Sequence, residues 1–121
     1  MLKTERIDRV RAALRAQGLT QMIVCDPKSV WYLTGVAVEP YERLLALYLP
    51  TEGEPGLFLN RLFNVPEPPC RTVWHTDTDK PVAQIAEVVD AGKPLGIDKE
   101  WPAKFLIPLM ETHPGMQVVL S

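Results

Sequence analysis

Residues 29–50 read SVWYLTGVAVEPYERLLALYLP. The stretch has three parts. Ser29 to Gly35 is aromatic and stops at a glycine. Val36 to Arg43 is polar and stiffened by Pro40. The rest is an apolar run ending at Pro50. Strict alternation marks a strand with one wet face, whereas an unbroken apolar run marks a strand covered on both faces. Arg43 to Leu49 is therefore predicted to be a central strand. A sheet with both faces covered needs helices on each side, which points to an α/β fold.

The flanking segments supply those helices. Residues 4–17 carry Ile7, Val10 and Leu14 on one stripe, with Thr4 as the expected N-cap and Gly18 as the stop. Arg9, Arg11 and Arg15 lie toward the end, where cations suit the helix dipole. Met22 to Cys25 reads as a buried strand. Asp26-Pro27 then starts a short helix carrying Val30, Trp31 and Leu33, which stops at Gly35. After the central strand, residues 51–56 (TEGEPG) are a turn, and Leu57 to Leu59 is its antiparallel hairpin partner. Residues 65–69 (VPEPP) form a loop before a strand over Thr72 to His75. Pro81 to Asp90 is the next helix, capped by Thr78 or Asp79 and ended by Gly92. Leu95 to Ile97 is a strand. Pro102 to Thr112 is a helix that Pro108 should kink or stop early. Met116 to Leu120 is the last strand. The expected fold is a mixed-sheet α/β sandwich with about six strands and flanking helices, forming one domain over residues 1–121.

Composition narrows the function. The chain has 121 residues, 46% hydrophobic and 23% charged, with a net charge of −2. That balance, without a basic stripe, gives no footprint for nucleic acid. No run approaches the roughly 20 apolar residues that span a membrane, and the charged start MLKTERIDRVRAAL is not a signal peptide. Cys25 and Cys70 lack CxxC spacing and read as small buried or half-buried thiols, as in a cytoplasmic protein. Each of Trp31, Trp74 and Trp101 is expected to pack where the sheet meets a helix, with Trp101, just before Pro102, the one most open to solvent.

A catalytic constellation is not apparent. His75 and His113 are far apart and have no histidine at i+3 or i+4. Residues 75–79 (HTDTD) read as a solvated turn that caps a helix. There is no GxSxG elbow, and Asp26-Pro27-Lys28 stands where a glycine-rich phosphate loop would follow the first strand.

The order of the segments nevertheless resembles a known family. An arginine-rich helix with Arg6, Arg9, Arg11 and Arg15 leads to Gly18-Leu19. Trp31-Tyr-Leu-Thr-Gly35 follows, then Glu42-Arg-Leu-Leu-Ala-Leu-Tyr-Leu-Pro50, Glu52-Gly-Glu-Pro55, Leu57-Phe-Leu59, Thr76-Asp-Thr-Asp79 and Leu95-Gly-Ile-Asp-Lys99. Together these are similar to the N-terminal domain of the creatinase/prolidase/Xaa-Pro aminopeptidase family, whose fold carries a ribonuclease H-like motif. The resemblance implies a non-catalytic domain of a proline-specific metallopeptidase. The catalytic domain, with two divalent metals such as manganese, cobalt or zinc, would lie outside this chain, which alone would be no enzyme and hold no cofactor. It also implies a homodimer in which the loop after YLTG reaches the partner's active-site mouth, and a short proline-containing peptide as substrate. That loop maps to Val36–Arg43, with Glu39, Tyr41, Glu42 and Arg43 as its reaching side chains. Arg43 matches a peptide carboxylate, and Glu39 or Glu42 a peptide amine. The plainer alternatives are that Arg43 pairs with Glu42 or solvent and that Tyr41 is partly buried over the sheet. Two other functions stay open: a protein-binding or chaperone-like module on the same scaffold, and creatinase chemistry within the family.

Overall fold

The computed structural model describes residues 2–121. Among them, four helices and six strands follow in the order α1 (Thr4–Ala16), β1 (Gln21–Val24), α2 (Pro27–Thr34), β2 (Ala46–Pro50), β3 (Gly56–Asn60), β4 (Arg71–His75), α3 (Pro81–Val88), β5 (Leu95–Ile97), α4 (Ala103–Thr112) and β6 (Val118–Leu120). The strands form one mixed sheet in the order β4-β3-β2-β1-β5-β6. β2 pairs antiparallel with both β1 and β3, while β3–β4, β1–β5 and β5–β6 are parallel. β2 is thus the one strand of the sheet that runs against the others, and it lies inside, as its unbroken apolar run requires.

The pleat sends alternate side chains to opposite faces. On one face Ile23, Ala46, Tyr48, Phe58, Leu95 and Ile97 meet Ile85, Ala86 and Leu109 of α3 and α4. On the other, Met22, Val24, Leu47, Leu49, Leu57 and Leu59 meet Ile7 and Leu14 of α1 and Val30 and Leu33 of α2. Phe63, Val65 and Cys70, from the β3–β4 crossover, extend the second layer. Gly96 sits at a tight point of β5, where a Cβ would come within 3.2 Å of the Leu19 side chain and 3.3 Å of Ser121 and would push them aside.

The arginines of α1 fasten the helix rather than merely complement its dipole. Arg6 donates to the Tyr32 carbonyl at 2.8 Å and lies over the Tyr32 ring. Arg11 and Arg15 donate to the carbonyls of Pro50 and Thr51 at 2.9 and 2.7 Å, tying α1 to the end of β2.

Several sequence expectations change. Lys3, not Thr4, is the N-cap of α1, and its carbonyl takes the Arg6 and Ile7 N–H groups. β2 starts at Ala46 rather than Arg43, because the Arg43 N–H closes a turn onto the Pro40 carbonyl. α3 ends at Val88, before Gly92: the buried amide of Gln21 accepts the Asp90 N–H at 2.9 Å and donates to the Asp90 carbonyl at 2.8 Å, pulling the chain out of the helix. No side chain caps α3; Asp79 instead binds the Thr76 N–H and hydroxyl. α4 neither stops early nor breaks at Pro108 but runs to Thr112, since Phe105, Leu106 and Leu109 hold it on the sheet. Trp31 is 52% exposed, whereas Trp101 is buried at 9% with its indole N–H on the Ile23 carbonyl at 3.0 Å. Cys25 and Cys70 are free thiols, buried and half-buried as expected.

Candidate functional site

The C-terminal ends of the parallel strands fall on one edge of the sheet, where open α/β sheets place their ligands. That edge carries Asp26 after β1, Asn60 at the end of β3, His75 at the end of β4 and Asp98 after β5. The segment joining α2 to β2 crosses the same edge. Asp26 caps α2 by accepting from the Ser29 N–H and hydroxyl, and Gly35 ends the helix in the left-handed region at φ 79°. This abrupt stop launches residues 36–45 outward.

The C-terminal end of the loop is anchored at two places, and one of them has a support of its own. The Arg43 guanidinium grips Asp77 with two parallel bonds, Nε to Oδ1 at 3.0 Å and Nη2 to Oδ2 at 3.1 Å. Asn60 donates to the same Asp77 Oδ1 at 2.9 Å, while its own Oδ1 accepts the Leu62 N–H at 2.9 Å. Lys104 of α4 donates to the Glu42 carbonyl at 2.6 Å. Just before these anchors Tyr41 adopts φ 53°, a left-handed conformation uncommon outside glycine, and its side chain is 81% exposed. A cleft of about 280 Å³ lies beneath, lined by Arg43, Leu44, Asn60, His75, Asp77 and Phe105 among others.

Local electrostatics follow from this packing. The Arg43 bond, then the Asn60 bond, hold the Asp77 carboxyl below the usual carboxylate range. Burial pushes the His75 pKa down, with Asp79 and Asp77 pulling weakly the other way, so the ring is neutral at pH 7. Its Nδ1 is buried with no protein hydrogen-bond partner. The Asp98 carboxylate accepts the Cys25 and Asp26 N–H groups at 3.1 and 2.7 Å, yet burial raises its pKa. Burial, and then the Asp98 charge, hold the Cys25 thiol far above its ordinary range, which removes it as a nucleophile.

Of the four loop residues singled out by sequence, Glu39, Tyr41 and Glu42 are exposed and Arg43 is half-buried. Glu42 approaches Arg43 only at 3.8 Å, so Asp77, not Glu42, is the main partner. Tyr41 stands out in solvent rather than lying over the sheet. The sequence reading missed Asn60, Asp77 and Lys104 as supports of the loop. Asp77 was visible within HTDTD, but its partner lies 34 residues away and only the fold brings the two together. Among the described residues no three His, Cys, Asp or Glu side chains converge as metal ligands.

Comparison with known proteins agrees with the geometry. The model of the creatinase/prolidase N-terminal domain matches residues 6–120. A putative dipeptidase, YkvY, of Bacillus subtilis is 42% identical over 50 residues, which are 41% of this chain and 14% of that protein. The chain thus spans only a minor part of such a relative's length. The creatinase/prolidase N-terminal domain of an Xaa-Pro dipeptidase from Streptococcus pyogenes superimposes with a TM-score of 0.81 at 24% identity, covering 96% of this chain and 93% of that one. A prolidase from Thermococcus sibiricus gives a TM-score of 0.81 at 25% identity, over 98% of this chain and 34% of that one. With the family model spanning nearly the whole sequence and the mixed sheet reproduced, this chain belongs to the creatinase/prolidase N-terminal domain family.

Proposed function

We propose that residues 1–121 form a single non-catalytic domain of a longer proline-specific metallopeptidase, an Xaa-Pro dipeptidase or aminopeptidase. In this reading the domain supports a homodimer. Its 36–43 loop shapes access of a short proline-containing peptide to the partner subunit's active site. Hydrolysis belongs to the parent's second domain, where two divalent ions supply activated water. The observation that carries the reading is the braced loop: Tyr41 is held out in solvent in a strained backbone conformation, and the two residues after it are bonded to α4 and to Asp77 of the β4–α3 turn, which Asn60 of β3 holds in turn. Strain kept in place by surrounding contacts is typical of functional segments. The neighbours' names, an Xaa-Pro dipeptidase and a prolidase, supply the substrate class. No described helix is long and apolar enough to cross a membrane, which is compatible with a cytoplasmic parent.

The test has two arms. This chain alone, with manganese, cobalt or zinc added, is expected to leave Xaa-Pro dipeptides uncleaved. The longer parent should cleave them, and Tyr41→Ala there should raise KM about three- to tenfold with kcat nearly kept, the signature of lost binding rather than lost chemistry. Metal-dependent turnover by the isolated chain would overturn the assignment. A parent that binds such peptides without cleaving them would move the domain to a protein-binding role.

A further inference from the structure

Arg43 has two carboxylate-binding edges, and the side-on one, Nε with Nη2, is already spent on Asp77. A guanidinium meets a carboxylate best through such a fork. The end-on edge, Nη1 with the second Nη2 hydrogen, has the Glu42 carboxylate 3.8 Å from Nη1, so each edge already faces an acidic side chain of this chain. Asp77 is in turn held by Asn60, which is 2% exposed and fixed by the Leu62 N–H. The turn carrying Asp77 is built by Asp79, which takes the Thr76 N–H at 2.8 Å. A chain of support therefore runs from the end of β3 through Asn60 and Asp77 to Arg43 and the loop. We infer that Asp77 is a positioning residue: it occupies the side-on fork of Arg43, locks the 36–43 loop against the sheet edge and, with Glu42 at the other edge, neutralises Arg43 so that it does not receive a ligand's carboxylate.

This deepens the access-loop reading and rests on it for its biological meaning. An external carboxylate competes here with one that is tethered in place, and tethering raises its effective concentration to millimolar or more. The side chains left to touch a peptide or a subunit are then Tyr41 and Glu39, with Arg43 acting as a strut. The charges facing the strut are Glu42 on the loop, Asp77 and Asp79 on the β4–α3 turn, and Lys104 on α4. The neutral His75 ring completes the surroundings.

The experiment reads Arg43 directly. In this chain labelled with nitrogen-15, the Arg43 Nε–H signal and the amide signals of the 36–43 loop are followed while N-acetylproline, a carboxylate without an amine, is added. In the native chain these signals should stay in place. In Asp77→Asn, exchange of the Arg43 Nε–H with water should rise about two- to fivefold, in keeping with a surface ion pair. The loop amides should broaden, and N-acetylproline should now shift the Nε–H. Acidifying the native chain through the depressed titration of Asp77 should reproduce the loosening, whereas Asp77→Asn should show no such step. Asp77 is exposed, so its replacement leaves the core intact. The inference is overturned if N-acetylproline shifts Arg43 in the native chain, or if Asp77→Asn leaves Arg43 and the loop unchanged. Neither outcome depends on whether the parent cleaves Xaa-Pro bonds, so the two readings fail separately.

Discussion

At the scale of the residue, His75 sets a measurable pH dependence. Its ring is 2% exposed, and in the fold its pKa lies below the ordinary value of 6.5. Between that lowered value and 6.5 the unfolded chain binds a proton that the folded chain refuses. Stability should therefore fall as pH drops through this window and recover above it, with a slope that one proton limits to about 1.4 kcal/mol per pH unit. Urea denaturation between pH 5 and 8, compared with His75→Phe, checks this: the variant should lose that part of the slope, and an identical profile would remove His75 as its source. Single residues were legible in the sequence where their partners are close. Asp26-Pro27 as the start of α2 is such a case, and the partner that Asp26 caps, Ser29, lies only three residues on. Gln21 was not legible, because a glutamine opening an apolar strand gives no sign that it will bind the Tyr48 hydroxyl and the Asp90 backbone, far along the chain. The same holds for Arg43 and Asp77, which meet because β3 pairs with β2 on one side and with β4 on the other.

At the scale of the element, α2 shows what local signals decide. A capping aspartate, a proline in the first turn and a left-handed glycine define its two ends. Gly35→Ala forces a side chain into φ 79° and should cost about 1 kcal/mol. Thermal unfolding reads the cost, and an unchanged midpoint would mean that the helix end relaxes without strain. Such signals decide less when a tertiary contact competes. α3 carries an apolar stripe that would reach Val89, yet Val89 turns extended at ψ 133° because Gln21 holds the next residue. α4 shows the reverse: tertiary packing keeps a proline-containing helix whole.

At the scale of the whole molecule, the sheet divides the core into two layers, and β2 contributes to both. Leu47 is wholly buried on the α1–α2 side. Leu47→Ala should cost about 2–5 kcal/mol, a large share of the roughly 5–15 kcal/mol that holds a domain of this size together. The denaturation midpoint measures it, and a loss below about 1 kcal/mol would show that the layer closes over the gap. The α/β class and the interior place of β2 follow from an apolar run with helices on either side. The parallel pairing of β3 with β4 does not, because the ten-residue connection at 61–70 crosses over without a helix to announce it.

The strand order also has a consequence for how the chain is made. β1, β2 and β3 are consecutive in sequence and adjacent in the sheet, so they can pair soon after leaving the ribosome. The other side of β1 is filled by β5, which is not complete until residue 97 has been added, and β6 comes later still. Throughout that interval the nascent sheet grows outward from its middle with the β1 edge bare, and an unpaired edge is a template for strands of other chains. Synthesis from Val24, where β1 ends, to Ile97 is the period in which this edge is open to wrong partners, and docking of β5 closes it.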